Sequence, residues 1–207
     1  LIKQGKNEGM DIYLETCPQY LFLTTEDLKK HGAYAKCNPP LREQKVRDAL
    51  WKYIEDGTVD FIGSDHSPYL DEEKRKGLED IFKAPAGFPG IEQRLPLLLT
   101  AVKEKKLSLY RAIELLAINP AKTFGLYPKK GVIRVGSDAD FVLVNMEKEF
   151  VVDNKKMFTH AKEIARVFNQ WKLVGQPELT IVRGKVVFQD GQITSDASGW
   201  GQFVPGK

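Results

Sequence analysis

The chain has 207 residues, of which 42% are hydrophobic and 29% charged, with a formal net charge of +3. That balance fits a folded globular chain of one domain or one and a half rather than a disordered one. The basic residues are dispersed among acids and form no stripe interleaved with aromatics, which speaks against nucleic-acid binding. No apolar run approaches a membrane span and no secretory signal opens the chain, so a cytoplasmic location is expected. In that setting Cys17 and Cys37 are expected as reduced, buried thiols.

Leu1 to Gly9 reads as the tail of a helix already under way, so the chain is expected to begin inside a domain. Asp11 to Cys17, rich in β-branched and aromatic residues and closed by Pro18, predicts a strand. Gln19 to Thr25 extends it or loops, and a short helix follows, capped by Thr24 or Thr25. Cys37 to Arg42 contains Pro39-Pro40 and must be extended, because each proline disfavours a helical residue before it. Gln44 to Asp56 predicts a helix with Val46, Leu50, Tyr53 and Ile54 on one side and Gly57 as its stop. Val59 to Ser64 is the next strand. Leu70 to Lys76 reads as a solvated loop or lid. Gly87-Phe88-Pro89-Gly90 turns into a helix over Ile91 to Lys105, with Leu95, Leu98, Leu99 and Val102 inward and Pro96 near its start. Ser108 caps a further helix to Ala117, which Asn119-Pro120 ends. From Gly131 the texture changes to short strands, Val132-Ile133, Phe141 to Asn145, Glu149 to Val152, Leu179 to Arg183 and Lys185 to Gln189, separated by glycine turns. Ser195 to Lys207 reads as a tail.

The heptapeptide Gly63-Ser64-Asp65-His66-Ser67-Pro68-Tyr69 carries the most chemistry. It follows a short apolar strand and presents a carboxylate and an imidazole at the strand's carboxyl end, where β/α barrels keep their catalytic groups. A carboxylate there can bind a cation, move a proton to and from water, or do both. The plainer reading is a turn in which Asp65 caps backbone amides and a neighbour satisfies His66.

Six segments, taken together and in order, resemble one family. They are Glu15-Thr16-Cys17-Pro18-Gln19-Tyr20-Leu21, Cys37-Asn38-Pro39-Pro40-Leu41-Arg42, Gly63 to Pro68, Gly87 to Leu97, Asn119-Pro120-Ala121-Lys122, and Lys130-Gly131 through Asp140. The chain thereby resembles the cyclic-amide branch of the amidohydrolase superfamily: hydantoinases and dihydropyrimidinases, allantoinases and dihydroorotases. The resemblance implies an α/β fold, the C-terminal part of a TIM-like (β/α)8 metal-dependent hydrolase barrel plus part of a small β-sandwich. Residues 1–128 would be the barrel share, with Ile12 to Cys17 and Val59 to Ser64 as strands seven and eight, and residues 129–207 the sandwich share and tail.

By the same resemblance, Asp65 matches an aspartate that ligates one metal and serves as general base and acid. Asn38 and Asn119 match positions that hold the imide or ureide of the ring; on residue chemistry alone they read as a turn before prolines and a helix end. His66 is expected to orient Asp65 or the adjoining loop. The implied cofactor is a divalent metal, zinc by expectation and binuclear in the intact enzyme. The other ligands of the family pattern (an early His-x-His, a carbamylated lysine and two further histidines) have no counterpart among these residues, since His31 and His160 stand elsewhere in the pattern. The expected partners are therefore the missing N-terminal part of the barrel, a small cyclic amide and further copies of the chain in a homo-oligomer. Tyr69 stands where dihydroorotases carry a histidine, which ranks hydantoinase or dihydropyrimidinase first, with allantoinase and dihydroorotase close behind. A non-catalytic, dihydropyrimidinase-like scaffold is the alternative.

Overall fold

A computed structural model describes residues 1–206; Lys207, the last residue of the expected tail, lies outside the described residues. The first helix, α1 (Ile2–Asn7), ends in the left-handed Gly9, as its sequence implies. Strand β1 (Glu15–Thr16) pairs in parallel with β2 (Phe61–Ile62), Glu15 opposite Phe61 and Thr16 opposite Ile62. Both strands are shorter than the sequence suggested. Pro18 does not merely close β1: it occupies the first turn of helix α2 (Pro18–Phe22), where a missing N–H leaves no bond unmade. The expected extension or loop from Gln19 is therefore helical.

Helix α3 (Thr25–His31) starts at Thr24, whose hydroxyl accepts from Glu26 N at 3.3 Å while its own N–H donates to Asp27 Oδ2 at 2.8 Å. Residues 37–42 carry no helix or strand, and helix α4 (Gln44–Glu55) runs back toward β2 with Gly57 left-handed at its end. Of the apolar side chains expected on one face of α4, Ile54 is buried, whereas Val46 and Tyr53 are about half exposed and line a cavity.

The acidic-basic stretch after the strand is not a solvated loop. Asp71–Arg75 forms a short helix, α5, and Lys74 within it is 0% exposed. Its ammonium donates to the carbonyls of Ala33 and Pro85, so charge was a poor guide to burial here. Helix α6 (Ile91–Lys103) begins after Gly90 and buries Leu98 and Leu99 as expected, together with Pro96, Leu97 and Ala101, while Leu95 and Val102 are half-buried. Ser108 caps α7 (Leu109–Ile113) by accepting from Arg111 N. Asn119-Pro120 does not end that helix. A π turn over Glu114–Ile118 absorbs the extra residue, and α8 (Asn119–Thr123) continues with Pro120 in its first turn.

Beyond α8 the strands are antiparallel. β3 (Phe141–Val144), β6 (Pro177–Val182), β7 (Lys185–Gln189) and β8 (Gln192–Ile193) form one sheet in the order β3-β6-β7-β8. Strand β4 (Glu149–Val151) pairs separately with β5 (Lys172–Val174). Val132-Ile133 forms no strand; Ile133 and Val135 are left exposed. Trp200, in the expected tail, is held by Arg183 and Lys185 against its ring.

Two apolar clusters hold these parts together. One joins Leu21, Ile54, Val59, Ile62 and Leu98 beneath the parallel strand pair. The other joins Leu23, Ala35, Leu41, Phe88 and Leu97 to Val152, Phe168 and Leu173 of the later segment. Residues 150–174 thus fold back onto α6, where Val174 N donates to Thr100 Oγ1 at 3.0 Å and Gly175 lies close against Leu99. Among the described residues no helix is long and apolar enough to cross a membrane.

Thr24→Ala removes one partner of a reciprocal cap and is expected to cost about 1 kcal/mol of stability, read as a lowered urea midpoint with unchanged m-value.

Candidate active site at the end of strand β2

The parallel pairing of β1 and β2 aims both strand ends in one direction. Leu14 N donates to Asp60 Oδ2 at 2.7 Å, Asp60 N to Leu14 O at 2.8 Å, and Gly63 N to Thr16 O at 2.9 Å. This ladder sets the first residues of α2 beside the turn that follows β2. There Gln19, 3% exposed, donates its amide to Asp65 Oδ2 at 2.7 Å. The other carboxylate oxygen of Asp65 accepts no hydrogen bond among the described residues, and Asp65 lines a cavity of about 630 Å³.

Asp65 has a left-handed backbone, φ 47°. That region is uncommon for residues other than glycine, though aspartate tolerates it better than most. The turn is held by Ser67 Oγ donating to Asp65 O at 3.1 Å and by His66 N donating to Ser64 Oγ at 3.3 Å. Asp65 therefore takes part in a turn through its backbone while its side chain is directed to the cavity. Of the plainer reading, the neighbour satisfying His66 is seen in Gly90 N, whereas the Asp65 carboxylate caps no backbone amide and is bonded by Gln19 instead.

Partial burial pushes the Asp65 carboxyl above the usual carboxylate range, and the Gln19 amide opposes that rise by favouring the charged form. Burial also pushes the Cys17 thiol up to about 12, with the charges of Asp65 and Glu15 adding to it. Cys37 rises to about 11 for the same first reason. Both cysteines are free and buried, so each is a protonated packing residue at neutral pH.

Of the residues singled out in the sequence, Asp65 and Asn38 share the cavity, with Glu15, Tyr20, Arg42 and Tyr53 also on its wall. The Asn38–Pro39 peptide is cis, and Tyr20 O–H donates to Pro39 O at 3.1 Å. Asn119 does not join them. Its side-chain amide donates to Asp60 O at 2.7 Å, tying α8 to the start of β2, and it is absent from the cavity wall. His66 turns toward the neighbouring loop, its Nδ1 accepting from Gly90 N at 3.3 Å. Gln19 is the residue that reading the sequence missed: it lay inside a quoted motif, but nothing local marks it as a partner of Asp65. A second cavity, about 660 Å³ between α6 and β6-β7, contains none of these groups.

A divalent metal does not fit these residues alone. Among the described residues no three His, Cys, Asp or Glu side chains gather closely enough to hold one, whereas catalytic zinc sites use three or more protein ligands. Asp65 offers a single free oxygen.

The family comparison agrees with the geometry. The amidohydrolase family model matches residues 12–187, and the chain belongs to that family. Over 205 residues it is 40% identical to an L-hydantoinase of Paenarthrobacter aurescens, covering 99% of this chain and 44% of that protein. It is 36% identical to an allantoinase of Deinococcus radiodurans, covering 96% of this chain and 43% of that one. Among solved structures, a D-hydantoinase (dihydropyrimidinase) from Thermus sp. superposes with a TM-score of 0.88 at 32% identity, over 97% of this chain and 44% of its own. The chain thus spans less than half the length of these relatives.

Gln19→Leu is expected to raise the Asp65 titration midpoint further, because the lost donor favoured the carboxylate. Carbon-detected NMR titration of the metal-free protein reads the shift; an unchanged or lowered midpoint contradicts the assignment.

Proposed function

We propose that this chain supplies the strand-end carboxylate and part of the substrate wall of a cyclic amidohydrolase. Such an enzyme opens the C–N bond of a cyclic amide, imide or ureide, with hydantoin- or dihydropyrimidine-like rings first and allantoin or dihydroorotate next. One observation carries the reading: Asp65 presents an unbonded carboxylate oxygen to a cavity that Asn38 also lines, at the carboxyl end of a parallel strand. In this reading the two parallel strands are part of a TIM-like barrel completed by polypeptide outside the 207 residues. Residues up to about 128 form the barrel share, and the antiparallel sheet beyond 129 forms the share of a β-sandwich. The homo-oligomeric state remains part of the same proposal.

Ring opening needs water to attack the carbonyl carbon and a proton to reach the departing nitrogen. A carboxylate can take the proton from water as the new C–O bond forms and give it to nitrogen as the C–N bond breaks. Asp65 suits that exchange, since burial raises its proton affinity while Gln19 keeps one oxygen fixed and leaves the other free. Asn38, which lines the same cavity beside the cis Asn38–Pro39 peptide, would offer polar groups to a planar ring there. In this reading Asp65 would supply one ligand to the divalent metal that the family resemblance implies, and the remaining ligands would come from polypeptide outside these residues.

Two outcomes follow. In the complete enzyme, Asp65→Asn is expected to keep the fold but lower kcat by orders of magnitude, because an amide cannot carry the proton; circular dichroism and steady-state kinetics check this, and near-parental kcat contradicts it. Residues 1–207 alone are expected to show neither stoichiometric zinc binding nor hydrolysis of hydantoin, dihydrouracil, allantoin or dihydroorotate. Equilibrium dialysis and those four assays decide it.

A further inference from the structure

Two lysines behind the site have no role in the reaction as described. Lys74 is fully buried, yet its Nζ makes no salt bridge among the described residues. It donates instead to Ala33 O at 3.2 Å and Pro85 O at 2.9 Å, with the Tyr69 ring 5.7 Å away. Lys36, half-buried, donates to Ile81 O at 2.8 Å, Ala84 O at 2.6 Å and Phe82 O at 3.4 Å. Two ammonium groups thus hold carbonyls of a single segment, residues 81–85, which has only one 3-10 turn of its own. Burying an ammonium is costly unless its donors are met, so this arrangement persists only because the carbonyls are held in place around each charge.

That segment leads directly to the back of the Asp65 turn. Gly87 N donates to Lys36 O at 2.8 Å, and Ser67 N donates to Phe88 O at 3.2 Å. His66 and Phe88 form a parallel bridge, and Gly90 N reaches His66 Nδ1. The contact is close: a Cβ on Gly90 would meet Ser64 O at 2.5 Å, and one on Gly87 would meet Ser67 Oγ at 2.4 Å. Lys36 also immediately precedes Cys37-Asn38, so one residue ties the loop both to the Asp65 turn and to the Asn38 wall.

We propose that Lys74 and Lys36 are positioning residues, whose ammonium groups fix residues 81–90 as the common backing that sets Asp65 against Asn38. The role in turnover rests on the hydrolase reading above; the role in holding the loop does not. Neither lysine touches the cavity, so their effect is transmitted through Ser64, His66 and Ser67.

The test uses the complete enzyme with Lys74→Met, Lys36→Met and Lys36→Arg. Each methionine is expected to lower kcat by about tenfold or more while KM changes by less than about threefold, since a small misplacement of a reacting group is costly in rate. Lys36→Arg keeps donors for the same carbonyls and is expected to recover most of the loss. Should Lys74→Met not fold, the Lys36 pair decides alone. Parental kcat in a folded methionine variant, or Lys36→Arg as impaired as Lys36→Met, overturns the proposal. If the parental enzyme opens no cyclic amide, the hydrolase reading fails instead, and hydrogen exchange then judges the loop. In the methionine variants the amides of Ser67, Gly87 and Gly90 are expected to exchange at least about tenfold faster, with those of α4 unchanged. Unchanged protection at those three amides overturns the proposal independently of any activity.

Discussion

The register between β1 and β2 governs the whole site. Asp60 fixes it twice, through its own N–H to Leu14 O and through its carboxylate, which accepts from Leu14 N and from Lys6 Nζ at 2.6 Å. The Lys6–Asp60 pair is about three-quarters buried, a setting where an ion pair is screened far less than at an open surface. A shift of one residue would turn Thr16 and Ile62 to the opposite faces and carry Gln19 away from Asp65. Beneath the pair, Ile62, Ile54 and Leu98 close the core, and the Arg94 guanidinium donates to Ile62 O at 3.3 Å. The strand end is therefore tied by packing against α4 and α6 and by hydrogen bonds, while the outer edges of the two-stranded pair carry no strand partner among the described residues.

That constraint explains how two short strands can position a reactive group. Two residues of β ladder are weak in isolation, and strand pairs of this length depend on surrounding contacts. Here α2 and α4 share one side, joined by Trp51 Nε1 donating to Leu21 O at 3.0 Å and by the edge-on Phe22–Trp51 ring pair. Arg111 adds a further tie between α4 and the residues before β2, with Nε on Ile54 O at 2.9 Å and a second nitrogen on Val59 O at 2.6 Å. The left-handed Asp65 then sits at a point where the chain must leave the strand sharply, on a support fixed in several directions. Such conformations persist where their surroundings over-determine them.

The parts of this arrangement that depend on neighbouring residues were legible in the sequence. A cap at Thr24 or Thr25 is announced by the threonines themselves, Gly57 announces its helix stop, and the six motifs name the family. What was not legible depends on groups distant along the chain. Lys74 lies in an Asp-Glu-Glu-Lys-Arg-Lys run that resembles wet surface, and only the carbonyls of Ala33 and Pro85 make it a buried residue. Gln19 looks like any polar residue after a proline until the strand register brings Asp65 to it. The same holds for the helix end expected at Asn119-Pro120: the helix instead widens into a π turn and continues, and the Asn119 amide donates to Asp60 O. Pro18 shows the same ambiguity in reverse, since a proline that ends one element can begin the next.

Viewed together, the carboxylate end of β2 is asymmetric in its demands. In the proposed reading, Asp65 needs one oxygen free and the rest of its surroundings rigid. Gln19 holds the second oxygen with a neutral donor, which steadies the carboxylate without quenching its basicity as a full positive charge would. The cationic groups nearby serve other purposes: Arg94 lies beneath the strand and donates to a backbone carbonyl, while Lys36 and Lys74 donate to carbonyls behind the turn. These three cations therefore support the scaffold from positions where they need not pair with Asp65, whereas Arg42 and Arg47 line the cavity itself. Burial thus raises the proton affinity of this carboxylate while a neutral neighbour fixes its direction, and the hydrolase proposed above would draw on that combination of a reversible proton carrier.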